Sequence, residues 1–209
     1  MGMKKENNML TEKEKMRLEK FEKISDDMQM KEFKRQDLTI DLKKANVLSL
    51  VLFIFLFVAG KALYYLVNQK LVFSDINPLS FLIIFIVLIV VHEMIHGACW
   101  VAFTHGSFKN VEFGILKPTF TPYCTCLVPL KKGQYIVGAM MPGLLLGVIP
   151  FIISIIVANP SMLIIAETMI AAAAGDMMIL LKIIGYKSSA SEVMYMDHPT
   201  EAGGVIFEK

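Results

Sequence analysis

The stretch Val90–Trp100, VVHEMIHGACW, starts on the last residue of the apolar run PLSFLIIFIVLIV, residues 78–90. It sets His92, Glu93 and His96 where the neighbours imply lipid. Ionisable side chains within hydrocarbon are costly, so they have either a partner or a task. On a helix, residues four apart share a face, and His92 and His96 can then turn imidazole nitrogens toward one cation. Glu93 adjoins the first of them, where a carboxylate can take a proton from a metal-polarised water and return it to a leaving amine. A catalytic zinc has three protein ligands and one position open to water, whose pKa it lowers to about 7. The spacing therefore supplies two ligands and a base and demands a third ligand elsewhere. The competing reading is a hydrogen-bonded polar cluster that fixes helix packing.

Working outward, the chain has 209 residues, 55% of them hydrophobic, and a net charge of +2. Long uncharged apolar runs indicate a membrane protein, and so small a net charge argues against a nucleic-acid partner. Four segments, at about 46–68, 79–104, 134–158 and 162–184, are long enough to cross roughly 30 Å of hydrocarbon. Lys43 and Lys44 precede the first. Lys109, Lys117, Lys131 and Lys132 separate the second from the third, and Lys182 and Lys187 close the fourth. The two remaining loops carry only Lys70, so the positive-inside rule places both termini and the 105–133 segment in the cytoplasm of a multi-pass cell-membrane protein. No apolar stretch precedes Val47, so no cleavable signal peptide is expected, and Met1-Gly2 lacks the Ser/Thr context of a myristoylation signal.

The expected fold is an all-α integral membrane bundle of about four transmembrane helices. A small β-hairpin or sheet lies at its cytoplasmic surface, and an amphipathic helix precedes it. Residues 1–45 hold 12 of the 21 Lys/Arg and 10 of the 19 Asp/Glu, which marks a charged cytoplasmic segment. Within it Leu18, Phe21, Ile24 and Met28 recur at helical spacing, as in a helix lying on the membrane or a partner, or in an ordinary solvated helix. Residues 37–42 then alternate like a strand. Residues 46–187 form the four-span domain, including a hairpin within 105–133, and 188–209 form a polar cytoplasmic tail. In the hairpin Val111, Phe113 and Ile115 alternate with Glu112 and Gly114, Lys117-Pro118 makes a break, and residues 123–128 return. Pairing with the 37–42 strand is a natural extension.

Depth selects the third ligand. His92 and His96 lie about eight to twelve residues from the cytoplasmic end of their span, and Asp176, in AAAAGDMMIL, about eight from the end of its own. At 1.5 Å per residue both places are roughly 12–18 Å below that surface. The small residues 171–175 would let a neighbouring helix approach closely. Glu167 is the rival, but nine residues earlier it faces the other way and nearer the outer leaflet, where an interfacial polar residue is the ordinary explanation. Cys99 shares the ligand face yet reads as a small core residue. His105 reads as a surface residue, His198 as part of a turn, and Cys124 and Cys126 as half-buried strand residues. Met141-Pro142-Gly143 and Gly147 read as a proline kink with close helix packing, the alternative being a loosened helix that admits water or substrate.

HEMIH in the second span, GDMMIL in the fourth and YCTCLVPLKKGQYIVGAMMPG between them resemble the putative zincin peptidase family of small multi-pass bacterial membrane proteins, over about residues 38–205. More distantly, the chain resembles the site-2 intramembrane metalloproteases, whose zinc is held by two histidines and an aspartate of a later helix. That resemblance implies His92, His96 and Asp176 as Zn2+ ligands and Glu93 as the catalytic carboxylate. Here Gly175-Asp176 stands in place of the Asn-Pro-Asp-Gly or Leu-Asp-Gly context usual in site-2 proteases. The expected function is a zinc metalloprotease that cuts membrane-associated polypeptides within the lipid bilayer, using the hairpin to hold an unwound substrate as an added strand. A non-catalytic metal-binding sensor or regulator is the alternative. A metal transporter fits less well, because a single polar cluster sits at one depth.

Overall fold

The computed structural model describes residues 11–74, 76–116 and 121–209. The break expected at Lys117-Pro118 and the opening Met1-Gly2 lie outside them. Helix α1 (Glu12–Met30) is started by a reciprocal cap in which Thr11 Oγ1 accepts the Glu14 N–H and the Glu14 carboxylate accepts the Thr11 N–H. Strand β1 (Lys34–Thr39) follows, and the Asp41 side chain then caps the first turn of α2 (Leu42–Asn68). Helix α3 (Pro78–Phe103) starts with Asn77 as cap and proline at its first position, where the missing N–H costs nothing. Strands β2 (Val111–Leu116) and β3 (Thr121–Cys126) pair antiparallel, with Phe113 opposite Cys124. This is the hairpin that the alternation in 105–133 indicated.

The short β4 (Leu130–Lys131) leads into α4 (Lys132–Gly143), which continues through a π turn at Leu144–Val148 into α5 (Ile149–Ile156). Pro142 precedes that turn and Gly147 packs on Ile170, so the third apolar stretch is one helix with a local adjustment where helices approach closely. Helices α6 (Pro160–Ala172) and α7 (Ala174–Gly185) replace the expected straight fourth span and meet at a 49° bend. Strands β5 (Val193–Asp197) and β6 (Gly203–Glu208) close the chain.

Among the described residues three helices are long and apolar enough to cross a membrane (α2, α3 and the α4–α5 unit), or four if the bent α6–α7 pair is one span. Val47, Ile54, Phe55 and Val58 of α2, and Leu82, Ile83, Ile86 and Val87 of α3, are exposed. Apolar faces of that extent suit hydrocarbon surroundings and would be costly in water.

Three expectations need correction. The first strand does not join the β2–β3 hairpin; β1 pairs with β6 in a four-stranded sheet of order β1-β6-β5-β4. The segment after Ser188 is not a polar tail, since Val205, Ile206 and Phe207 are fully buried at the sheet's centre. The apolar face of helix α1, expected against a membrane, a partner or plain solvent, is covered by the chain itself. Phe21 and Met28 pack with Met196, Val205 and Phe207 on that sheet. Amphipathic spacing reports that a face is covered and not by what. Because the start of α2, the end of α3, the start of α4 and the end of α7 adjoin these strands, α1 and both sheets gather at one end of the bundle.

Candidate metal centre

One turn of α3 carries His92, Glu93 and His96, seven to eleven residues before the helix ends at Phe103. That is about 10–17 Å along the axis from the sheet end of the bundle. Both imidazoles are buried, and their rings meet edge to face with centroids 4.9 Å apart. His96 stacks on Trp100 at 5.3 Å, and its Nδ1 lies 2.8 Å from the Gly138 carbonyl of α4. A carbonyl only accepts, so Nδ1 carries the proton and the Nε2 lone pair is left free to bind a cation. Gly138 makes that contact possible, because a Cβ there would run into the Trp100 indole. His92 Nδ1 has no such support among the described residues.

The third group comes from the bend. Ala173 ends α6, α7 restarts at Ala174, and Asp176 falls in the first turn of the new helix. Helix N-termini favour negative charge because their amides point outward unpaired. Asp176 Oδ2 lies 3.0 Å from His92 Nε2 and 3.6 Å from His96 Nε2, with the side chain 26% exposed. The three donor atoms are within 4.8 Å of one another. Tetrahedral zinc with bonds of about 2.0–2.2 Å separates its ligands by roughly 3.3–3.5 Å. The observed 3.0 and 3.6 Å straddle that spacing, and two nitrogens with one carboxylate are a donor set zinc accepts. These residues fit the ion, and with two ligands from α3 and one from α7 a fourth position is left for water or substrate.

His92, Glu93, His96 and Asp176 share a cavity of about 230 Å3. Glu93 does not join the three donors. Its carboxylate accepts the backbone N–H of Cys124 from β3, which holds it beside them. The Cys126 N–H donates to Asp197 Oδ2 at 2.6 Å, and Tyr135 donates its hydroxyl to Asp197 Oδ1. Pro122 has no N–H. The β3 edge that an added substrate strand would use therefore has both its amide donors engaged, at Cys124 and Cys126.

The remaining sequence candidates stay outside the cluster. Cys99 is half-buried on α3 and offers no donor to it. His105 is exposed in a left-handed turn after α3. Cys124 and Cys126 are buried on β3, where burial and then Asp197 push the Cys126 thiol up to about 12 and raise that of Cys124 strongly. Protonated thiols are poor metal ligands and poor nucleophiles. His198 does sit in a turn, its Nδ1 accepting the Glu201 N–H at 2.9 Å, and it also lines the cavity. Glu167 is not interfacial: it is fully buried. Sequence reasoning missed Arg17, Tyr135 and Asp197, all of which line the cavity, because their partners lie 62 to 182 residues away.

A family model described as "Putative zincin peptidase" matches residues 85–191, the segment that includes His92, Glu93, His96 and Asp176. No curated protein and no solved structure matches the chain.

Proposed function

Because the chain belongs to the putative zincin peptidase family, we propose that it is a zinc-dependent, membrane-embedded peptidase that hydrolyses peptide bonds of membrane-associated polypeptides. The observation that carries this reading is the convergence of His92 Nε2, His96 Nε2 and Asp176 Oδ2 from two helices, with Glu93 in the same cavity. His92, His96 and Asp176 would hold the ion. Bound zinc would act as a Lewis acid on the scissile carbonyl and bring the pKa of water near 7. Glu93, steadied by the Cys124 amide, accepts the proton of the attacking water and passes it to the departing amine nitrogen. The Gly138 carbonyl keeps His96 in the tautomer that leaves Nε2 free. The three membrane-length helices support a bilayer location, and the lysine distribution supports placing the sheet end and both termini in the cytoplasm.

The test separates the peptidase from a non-catalytic metal sensor. In purified protein, Glu93→Gln should keep one zinc per chain and lose turnover of a membrane-peptide substrate by about 10²–10⁴-fold. His92→Ala should lose both. Full function of Glu93→Gln in cells, or an absence of zinc from the wild type, would end the proposal.

A further inference from the structure

The metal-facing cavity is lined also by Arg17 of α1 and by the β5–β6 turn. At about 230 Å3 it falls below the roughly 300–1,000 Å3 that houses a small-molecule ligand, and an extended polypeptide advances about 3.3 Å per residue. A stretch of polypeptide longer than a residue or two therefore fits beside Glu93 only if the cavity widens.

We propose that the N-terminal half of α1 is an autoinhibitory lid, latched over the cavity by Arg17. The Arg17 side chain is buried at 6% exposure. Its Nε donates to the Pro199 carbonyl at 2.6 Å, and its Nη1 to Glu112 Oε1 at 2.8 Å and to the Tyr123 hydroxyl at 2.6 Å. One guanidinium thus ties α1 to β2, β3 and the β5–β6 turn. Lys13 and Lys20, on the same helical face, add single bonds to the Phe113 and Lys109 carbonyls. Every one of these contacts is polar, whereas the apolar anchors of α1, Phe21 and Met28, lie in its second half on β6. The helix is built to release at its start while it stays docked at its end.

As regulation of peptide access the lid rests on the peptidase reading, but its test needs neither zinc nor cleavage. Cys124 lines the cavity at 9% exposure, and Cys99 does not line it. With Cys124 as the sole cysteine (Cys99→Ala, Cys126→Ala), a soluble maleimide should label Arg17→Gln at least about tenfold faster than the Arg17 protein, because the open population rises. With Cys99 as the sole cysteine, the same change should leave the rate as it was. The Lys13→Ala/Lys20→Ala pair, which keeps Arg17, should give a smaller rise at Cys124 alone. An unchanged rate at Cys124, or equal rises at both cysteines in both variants, overturns the lid. Selective labelling together with no peptidase activity in any variant would remove the proposed function and leave the lid standing.

Discussion

Two carboxylates nine residues apart on the α6–α7 pair sit in opposite circumstances. Asp176 opens onto a cavity and has two imidazole nitrogens at 3.0 and 3.6 Å. Glu167 is completely buried, and neither of its oxygens has a hydrogen-bond partner among the described residues. The charge that acts on it belongs to Lys61, whose ammonium sits 3.7 Å from the centre of the Phe57 ring. Both are acids in apolar helices, so burial within an apolar helix does not by itself identify a functional group. What separates them is convergence: Asp176 meets donors from a second helix at metal-ligand spacing, and Glu167 meets none.

The sharpest way to break this contrast is to remove each carboxylate in turn. Asp176→Ala should weaken zinc binding by more than about 100-fold, beyond the 10–100-fold cost of losing a group that merely supports a ligand. Glu167→Gln should leave zinc affinity where it was. Competition against a chromophoric chelator measures both. Equal affinity losses in the two variants would mean that Asp176 contributes only to folding.

The parts of the site that were legible in the sequence are the ones set by local geometry. His92, Glu93 and His96 could be read together because four residues make about one helical turn, and Asp176 because a lone charge stood among small and apolar residues. The bend beside Asp176 was hidden, because alanine is a good helix former; at the bend Ala173 lies close to Gly143, where an added Cβ would come within 3.2 Å of it. Strand partners were hidden for a different reason. Alternation in 37–42 pointed to a half-covered strand, but the strand itself is Lys34–Thr39, and its pairing with Gly203–Glu208 joins opposite ends of the chain. The run Val205-Ile206-Phe207 after two glycines was the available sign that the last segment is a buried strand. Glu167 was misplaced because helical phase alone does not say which neighbour covers a face. Arg17 was read as one charge among many, since its partners Glu112, Tyr123 and Pro199 are distant in sequence.

A milder disturbance of the convergent site should come through its support. Gly138→Ala forces the Trp100 indole aside and, with it, the contact between His96 and the backbone of α4. Zinc affinity should fall about tenfold, the lower end of the range for losing a ligand's hydrogen-bond partner. Overpacking should also cost about 1–3 kcal/mol of stability. Chelator competition and thermal unfolding read the two effects separately. An affinity loss without any stability loss would mean that the His96 orientation depends on Gly138 more finely than the helix packing does.

The smallest effect, and the one of opposite sign, belongs to the solitary carboxylate. Glu167 occupies space beside Gly60 and Phe151 without returning a hydrogen bond for its lost hydration. Removing a buried polar group that has no partner, and filling its volume with an apolar chain, relieves a desolvation cost of about 1–3 kcal/mol. Glu167→Met should therefore stabilise the protein by about 1–2 kcal/mol, a rise of about 2–8 °C in the unfolding midpoint for a chain of this size. Zinc content and turnover should be unchanged. A fall in the midpoint would show that Glu167 is held by an interaction as specific as the one that holds Asp176, and the contrast between the two acids would fail.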